Sequence, residues 1–129
     1  MDAKQFLLIS ASMLASVVAA GAQGEEAQRR HIQIAEIEVD AAQLENYRAA
    51  VNEQIEAAIR TEPGVLVLYA VAEREDATRI RVFEVYRDAD AYRSHLETAH
   101  FKKYKAVTEP MVRSLKLVPM VPIALGAQR

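Results

Sequence analysis

The chain has 129 residues, 51% of them apolar and 26% charged, with a formal net charge of -2. That length suits one domain, the balance is that of a globular chain rather than a disordered one, and the charge carries no basic footprint for nucleic acid. Cysteine is absent, which excludes disulfides, thiolate chemistry, Fe–S clusters, cysteine-based zinc sites and a lipoprotein anchor.

The first 22 residues read as a cleaved secretory signal. A short polar start precedes an uncharged run from Phe6 to Ala20, and Ala20-Gly21-Ala22 supplies the small-x-small pattern of a cleavage site. The run is short against the roughly 20 residues a spanning helix needs. A mature N-terminus at Gln23, a periplasmic or secreted location and no stable membrane anchoring after cleavage are therefore expected. Residues 23–30 are polar and read as a flexible leader, residues 31–123 as the folded domain, and residues 124–129 as a tail.

His31 to Val39 alternates polar and apolar, the period of a half-buried strand. Ile32 and Ile34 share a face with Glu36, and Ala35, Ile37 and Val39 take the other, so cover on both faces is expected. Asp40 fits an N-cap. Leu44, Tyr47, Val51, Ile55, Ala58 and Ile59 then form one stripe of a long amphipathic helix, which Pro63-Gly64 stops. Val65 to Ala72 is a continuous apolar run that predicts a strand covered on both faces. A charged turn from Glu73 to Thr78 joins it to a strand over Arg79–Arg87, making an antiparallel hairpin. Asp88 or Asp90 caps a second helix with Tyr92 and Leu96. Beyond a break at Thr98, Phe101, Tyr104, Thr108, Met111 and Leu115 keep helical spacing, with a bend at Pro110. Lys116 to Ile123 predicts a last strand, held to an edge by its two prolines.

The order β-α-β-β-α-β is the α+β, ferredoxin-like split βαβ. Helices on one face of such a sheet leave the other bare, and here it would expose the apolar side chains of strands two and three. Two sheets packed face to face answer this, so a homodimer is expected.

Glu62-Pro63-Gly64, Thr78 to Tyr86, Asp90-Ala91-Tyr92-Arg93-Ser94-His95-Leu96 and Ala99-His100-Phe101 occur in that order. As a set they resemble the antibiotic biosynthesis monooxygenase (ABM) domain family, across nearly all of residues 31–123. The resemblance implies a dimeric α/β barrel with a pocket between sheet and helices in each subunit. It also implies one of several activities: cofactor-free oxidation of quinols or phenols, isomerisation of a small phosphorylated sugar, or haem degradation. The haem degraders carry an asparagine, a tryptophan and a histidine where Ile37, His95 and Lys105 stand here, so the pattern departs from theirs.

Seven residues are candidates for chemistry. His95 and His100 are placed to take a proton from a phenolic substrate near neutral pH; His95 is also readable as an ordinary helix-surface histidine, and His100 as a ring that caps the next helical segment. They stand five apart, about 140° round an ideal helix, so they make no i,i+4 metal pair, and only the break at Thr98-Ala99 brings them together. Glu84 is an ionisable residue in an apolar strand, which orients a histidine or pairs with Arg79 or Arg81. Tyr69, Tyr86, Tyr92 and Phe101 are candidate substrate contacts, readable equally as core aromatics. No nucleotide-binding, serine-hydrolase or zinc-protease motif occurs.

The expectation is a cofactor-independent monooxygenase that oxidises a quinol or other hydroxylated aromatic with O₂. Catalytic roles fall to His95, His100 and Glu84, with no cofactor and no metal. The alternatives are an exported non-catalytic binding or stress-response dimer and a proton-transfer isomerase of the same family.

Overall fold

The structure is a computed structural model and describes residues 24–128. The expected signal segment lies outside the described residues. Residues 24–29, within the expected leader, are helical and mostly exposed.

Four antiparallel strands then form one sheet: β1 (His31–Val39), β2 (Val65–Ala72), β3 (Arg79–Tyr86) and β4 (Val112–Met120), in the order β2-β3-β1-β4. Three helices cover one face: α1 (Leu44–Thr61), α2 (Ala89–Leu96) and α3 (Ala99–Thr108). This is the expected ferredoxin-like α+β arrangement.

The alternation in β1 sets the two faces. Gln33, Ala35, Ile37 and Val39 are buried beneath the helices, and Ile37 stands opposite Ile80 as Ala35 does opposite Val82. Asp40 caps as expected, its carboxylate accepting from the Ala42 amide at 3.0 Å, and a 3-10 turn over Ala41–Gln43 leads into α1. Tyr47, Val51 and Ala58 turn inward on α1, whereas Ile59, expected on the same stripe, is half exposed. Gly64 allows β2 to start close against α2, for a Cβ there would lie 2.6 Å from the Cβ of Ala91.

Two elements depart from expectation. The third helix stops at Thr108 and does not run on through Met111 to Leu115. Pro110 lacks an amide proton and its ring crowds the preceding turn, so the chain tightens into a 3-10 turn over Glu109–Met111. The last strand accordingly begins at Val112 and holds Leu115, which pairs with Ile37. Its edge position is as expected, with Pro119 opposite Gln33.

The second departure is β2, which is not covered on both faces within one chain. Val65 and Leu68 are buried, but residues 69–72 are exposed. The register shifts between Val65 and Val67, which puts Tyr69 opposite Phe83 and Val71 opposite Arg81 on the helix-free face. Tyr69, Val71, Phe83 and Met120 stand exposed there.

Candidate active site

A partly open cavity of about 100 Å³ lies between the helix-covered face of the sheet and the three helices. Leu68, Val82 and Ile37 form its sheet wall, and Tyr92, Phe101 and Tyr104 its helix wall. Leu115 and Leu117 of β4 also line it and are half exposed. A wider groove of about 650 Å³ runs between α1 and β2, past Arg48, Asn52, Val71 and Ala72. It holds neither a histidine nor a buried carboxylate, so the chemistry concentrates in the smaller cavity.

Glu84 supplies the carboxylate of that cavity. It sits in β3 between Val82 and Tyr86 on the buried face, opposite Gln33 of β1. The Tyr86 hydroxyl donates to its Oε1 at 2.6 Å and the Gln33 Nε2 donates to the same oxygen at 3.3 Å. Burial pushes the Glu84 carboxyl above its ordinary value, and these two bonds limit the rise. The chain of contacts continues outward: His31 Nε2 donates to Gln33 Oε1 at 3.0 Å, and the His31 ring stacks on Tyr92 at 4.2 Å between centroids. Glu84 therefore pairs with neither Arg79 nor Arg81, both of which meet Glu73 on the other face.

The two remaining histidines converge on a different acid. His95, 1% exposed, donates from Nδ1 to Glu62 Oε2 at 2.8 Å, and His100 donates from Nε2 to the same oxygen at 2.7 Å. The break at Thr98 makes this possible. Its hydroxyl bonds the His95 carbonyl at 2.7 Å and accepts from the Phe101 amide at 3.3 Å, closing α2 and opening α3 at one point. His95 packs behind Tyr86 and Phe101, with centroids 5.4 and 5.0 Å away, and neither histidine lines the Glu84 cavity. The ligand atoms of Glu62, His95 and His100 lie within 4.8 Å of one another. Two imidazoles and a carboxylate are a donor set suited to a divalent transition metal, although here the three groups already satisfy one another.

The expected substrate contacts divide. Tyr92 and Phe101 line the cavity, and Tyr86 is fully buried with its hydroxyl on Glu84. Tyr69 does not belong with them: the shift in β2 register sends it to the opposite sheet face, where it is 65% exposed. Burial holds the phenols of Tyr86, Tyr47 and Tyr104 above their ordinary range, the last two sharing a hydroxyl–hydroxyl bond of 2.7 Å.

Sequence reasoning passed over Glu62, Gln33 and Gln54. Each left a signal. Glu62 is an acid at the C-terminal end of α1, where the helix dipole disfavours negative charge. Gln33 and Gln54 are amides on otherwise apolar faces, of β1 and α1 respectively.

A split βαβ sheet carrying a half-buried acid among aromatic rings defines a small ferredoxin-like pocket protein. The family profile for antibiotic biosynthesis monooxygenase matches residues 30–107. A candidate antibiotic biosynthesis monooxygenase from Bacteroides thetaiotaomicron is 44% identical, over 80% of this chain and 98% of that one, with a TM-score of 0.77. A candidate monooxygenase from Lactobacillus acidophilus is 26% identical over 73% of this chain and 45% of its own, TM-score 0.72. One from Nitrosomonas europaea, 23% identical over 74% and 92%, shares the fold at a TM-score of 0.70. No curated protein matches the sequence. The chain belongs to the antibiotic biosynthesis monooxygenase family.

Proposed function

We propose that this protein is a cofactor-independent monooxygenase that oxidises a quinol or similar hydroxylated single ring with O₂. The observation that carries the reading is Glu84, a desolvated carboxylate on the wall of a mostly apolar, aromatic-lined cavity. An anion denied water is a stronger base once formed, which suits it to take a phenolic proton.

The steps balance on substrate and oxygen alone. Glu84 takes the proton of a ring hydroxyl, and the resulting anion gives one electron to O₂. The two radicals join at a ring carbon bearing hydrogen, forming a C–O bond and a hydroperoxide. Loss of that carbon's proton and cleavage of the O–O bond release water and leave a new carbonyl. One oxygen atom enters the ring, the other leaves as water, and hydroquinone becomes a hydroxyquinone. The protein contributes a base, orientation and a dry pocket. Tyr86 and Gln33 hold the carboxylate in place, and the Glu62 bridge to His95 and His100 fixes the α2–α3 corner that presents Tyr92 and Phe101.

This assigns the base to Glu84 and a positioning role to the histidines. Oxygen uptake with a panel of quinols and phenols tests it, comparing wild type with Glu84→Gln, His95→Ala and His100→Ala. Uptake should fall about 100-fold or more in Glu84→Gln. Ligand binding without uptake in the wild type would move the reading to a non-catalytic binding protein. We further read the protein as an exported homodimer. The small-x-small site before Gln23 supports export, and the exposed Tyr69, Val71 and Phe83 support a second copy against that face.

A further inference from the structure

A chain of polar contacts runs from the start of β1 inward to Glu84, and the chemistry of its links fixes each member. Glu84 Oε1 lies 2.6 Å from the Tyr86 hydroxyl and 3.3 Å from the Gln33 Nε2. In the ionised form that acts as a base, a carboxylate only accepts, so it selects the orientation that turns the Gln33 NH₂ toward it. The Gln33 Oε1 then faces His31 Nε2 at 3.0 Å, and that nitrogen must carry a hydrogen. The reversed amide needs the opposite at both ends, a carboxyl that donates and an imidazole nitrogen that accepts. Gln33 is 6% exposed, so water does little to relieve a mismatch. The His31 ring is itself held, parallel to Tyr92 at 4.2 Å between centroids and edge-on to Tyr86 at 5.9 Å. The hydrogen on His31 Nε2 and the ionisation of Glu84 are therefore linked through one amide.

We propose that His31 is a positioning residue for the base, its Nε2–H holding the Gln33 amide in the orientation that supports an ionised Glu84. The inference rests on Glu84 as the base of the proposed oxidation and deepens that reading. Other titratable groups surround the carboxyl: Tyr86 from β3, Tyr47 from α1, Tyr92 and His95 from α2, and Tyr104 and Lys105 from α3. Burial keeps the phenols of Tyr47, Tyr86 and Tyr104 protonated. His95 is engaged with Glu62, and Lys105 is exposed. Among the described residues, His31 is the imidazole that reaches Glu84 through a hydrogen-bonded side chain. Burial raises the Glu84 carboxyl, and the bonds from Tyr86 and Gln33 together with the nearby His95 and His31 oppose the rise.

A pH titration of the Glu84 carboxyl tests this, followed without substrate by carbon NMR of protein labelled at its glutamate side chains, with Glu84→Gln assigning the signal. In His31→Ala, and in His31→Phe, which keeps a ring against Tyr92, the Glu84 midpoint should rise by about half a unit to one unit, as the loss of one hydrogen bond implies. His31→Gln keeps an N–H donor of similar reach and should return the midpoint to within about 0.3 unit of wild type. In a Gln33→Leu background His31→Ala should have no further effect, because the amide that links the two groups is gone. Oxygen uptake should agree, the rising limb of kcat/KM moving to higher pH by the same amount in His31→Ala. A midpoint unmoved in both His31→Ala and His31→Phe overturns the inference and leaves Glu84 as the base. A shift that persists undiminished in the Gln33→Leu background overturns it too. Undiminished uptake in Glu84→Gln overturns the base reading, and this inference with it.

Discussion

Replacing Glu62 with alanine should be among the most damaging single changes on this fold, although the residue lies outside the core. One carboxylate oxygen holds two imidazoles, at 2.8 Å to His95 and 2.7 Å to His100. The His95 side chain is 1% exposed, so its Nδ1–H loses its only partner with little water to replace it. A buried donor left alone costs about 1–3 kcal/mol. The His100 side chain is 20% exposed and can turn to solvent, so its share is smaller, about 1 kcal/mol. Together they amount to about 2–4 kcal/mol, a large part of the roughly 5–15 kcal/mol typical of a domain. For a domain of this size the melting temperature should fall by roughly 10–30 °C. Thermal and urea unfolding measure it, at one protein concentration so that any self-association is held fixed. Glu97→Ala is the control. Glu97 meets Lys102 at 3.1 Å with both side chains well exposed, so its loss should move stability by under about 1 kcal/mol. A Glu62→Ala protein that melts with the Glu97→Ala control would refute the claim that this bridge locks the α2–α3 corner.

Activity should carry the signature of Glu84. Its carboxyl is raised by burial, so kcat/KM should climb with pH on a limb above the ordinary carboxylate range, and Glu84→Gln should lose that limb. The same shift has a stability sign. The folded state holds the proton more tightly than the unfolded one, so Glu84 contributes stability below its unfolded value of 4.5 that is lost as pH rises through the raised value. Glu84→Gln should flatten that part of the stability profile, and an unchanged profile would count against a buried carboxyl. Gly64→Ala should cost about 1–3 kcal/mol, since the new methyl would meet Ala91 at 2.6 Å, and Ala91→Gly in the same chain should restore most of it in denaturant titrations. Wild type should be a dimer by light scattering and Val71→Asp, on the exposed sheet face, a monomer; a wild-type monomer stable to dilution would remove the second copy from that face. Mass spectrometry of protein exported by a bacterial host should find Gln23 at the N-terminus, and an intact Met1 would refute cleavage.

The elements were legible because their signals are local. Alternation over His31–Val39, the caps at Asp40 and Asp88 and the stop at Pro63-Gly64 each act within a few residues. Edge placement of β4 followed from Pro119, which has no amide to give a second neighbour. Glu84 was legible as a candidate for a similar reason: a charge on the buried parity of an apolar strand needs an explanation wherever the strand lies. What stayed hidden depends on distance along the chain or on a single irregularity. Glu62 meets His95 and His100 across 33 and 38 residues, and only the docking of the end of α1 against the α2–α3 corner decides that it, rather than Glu84, holds the histidines. Tyr69 was lost to one residue of register. A strand's faces alternate with period two, so the shift between Val65 and Val67 reverses the side of everything after it. The open acceptor on Gln54 shows only once α1 is laid over the sheet, because composition reveals an amide but only packing reveals that nothing answers it.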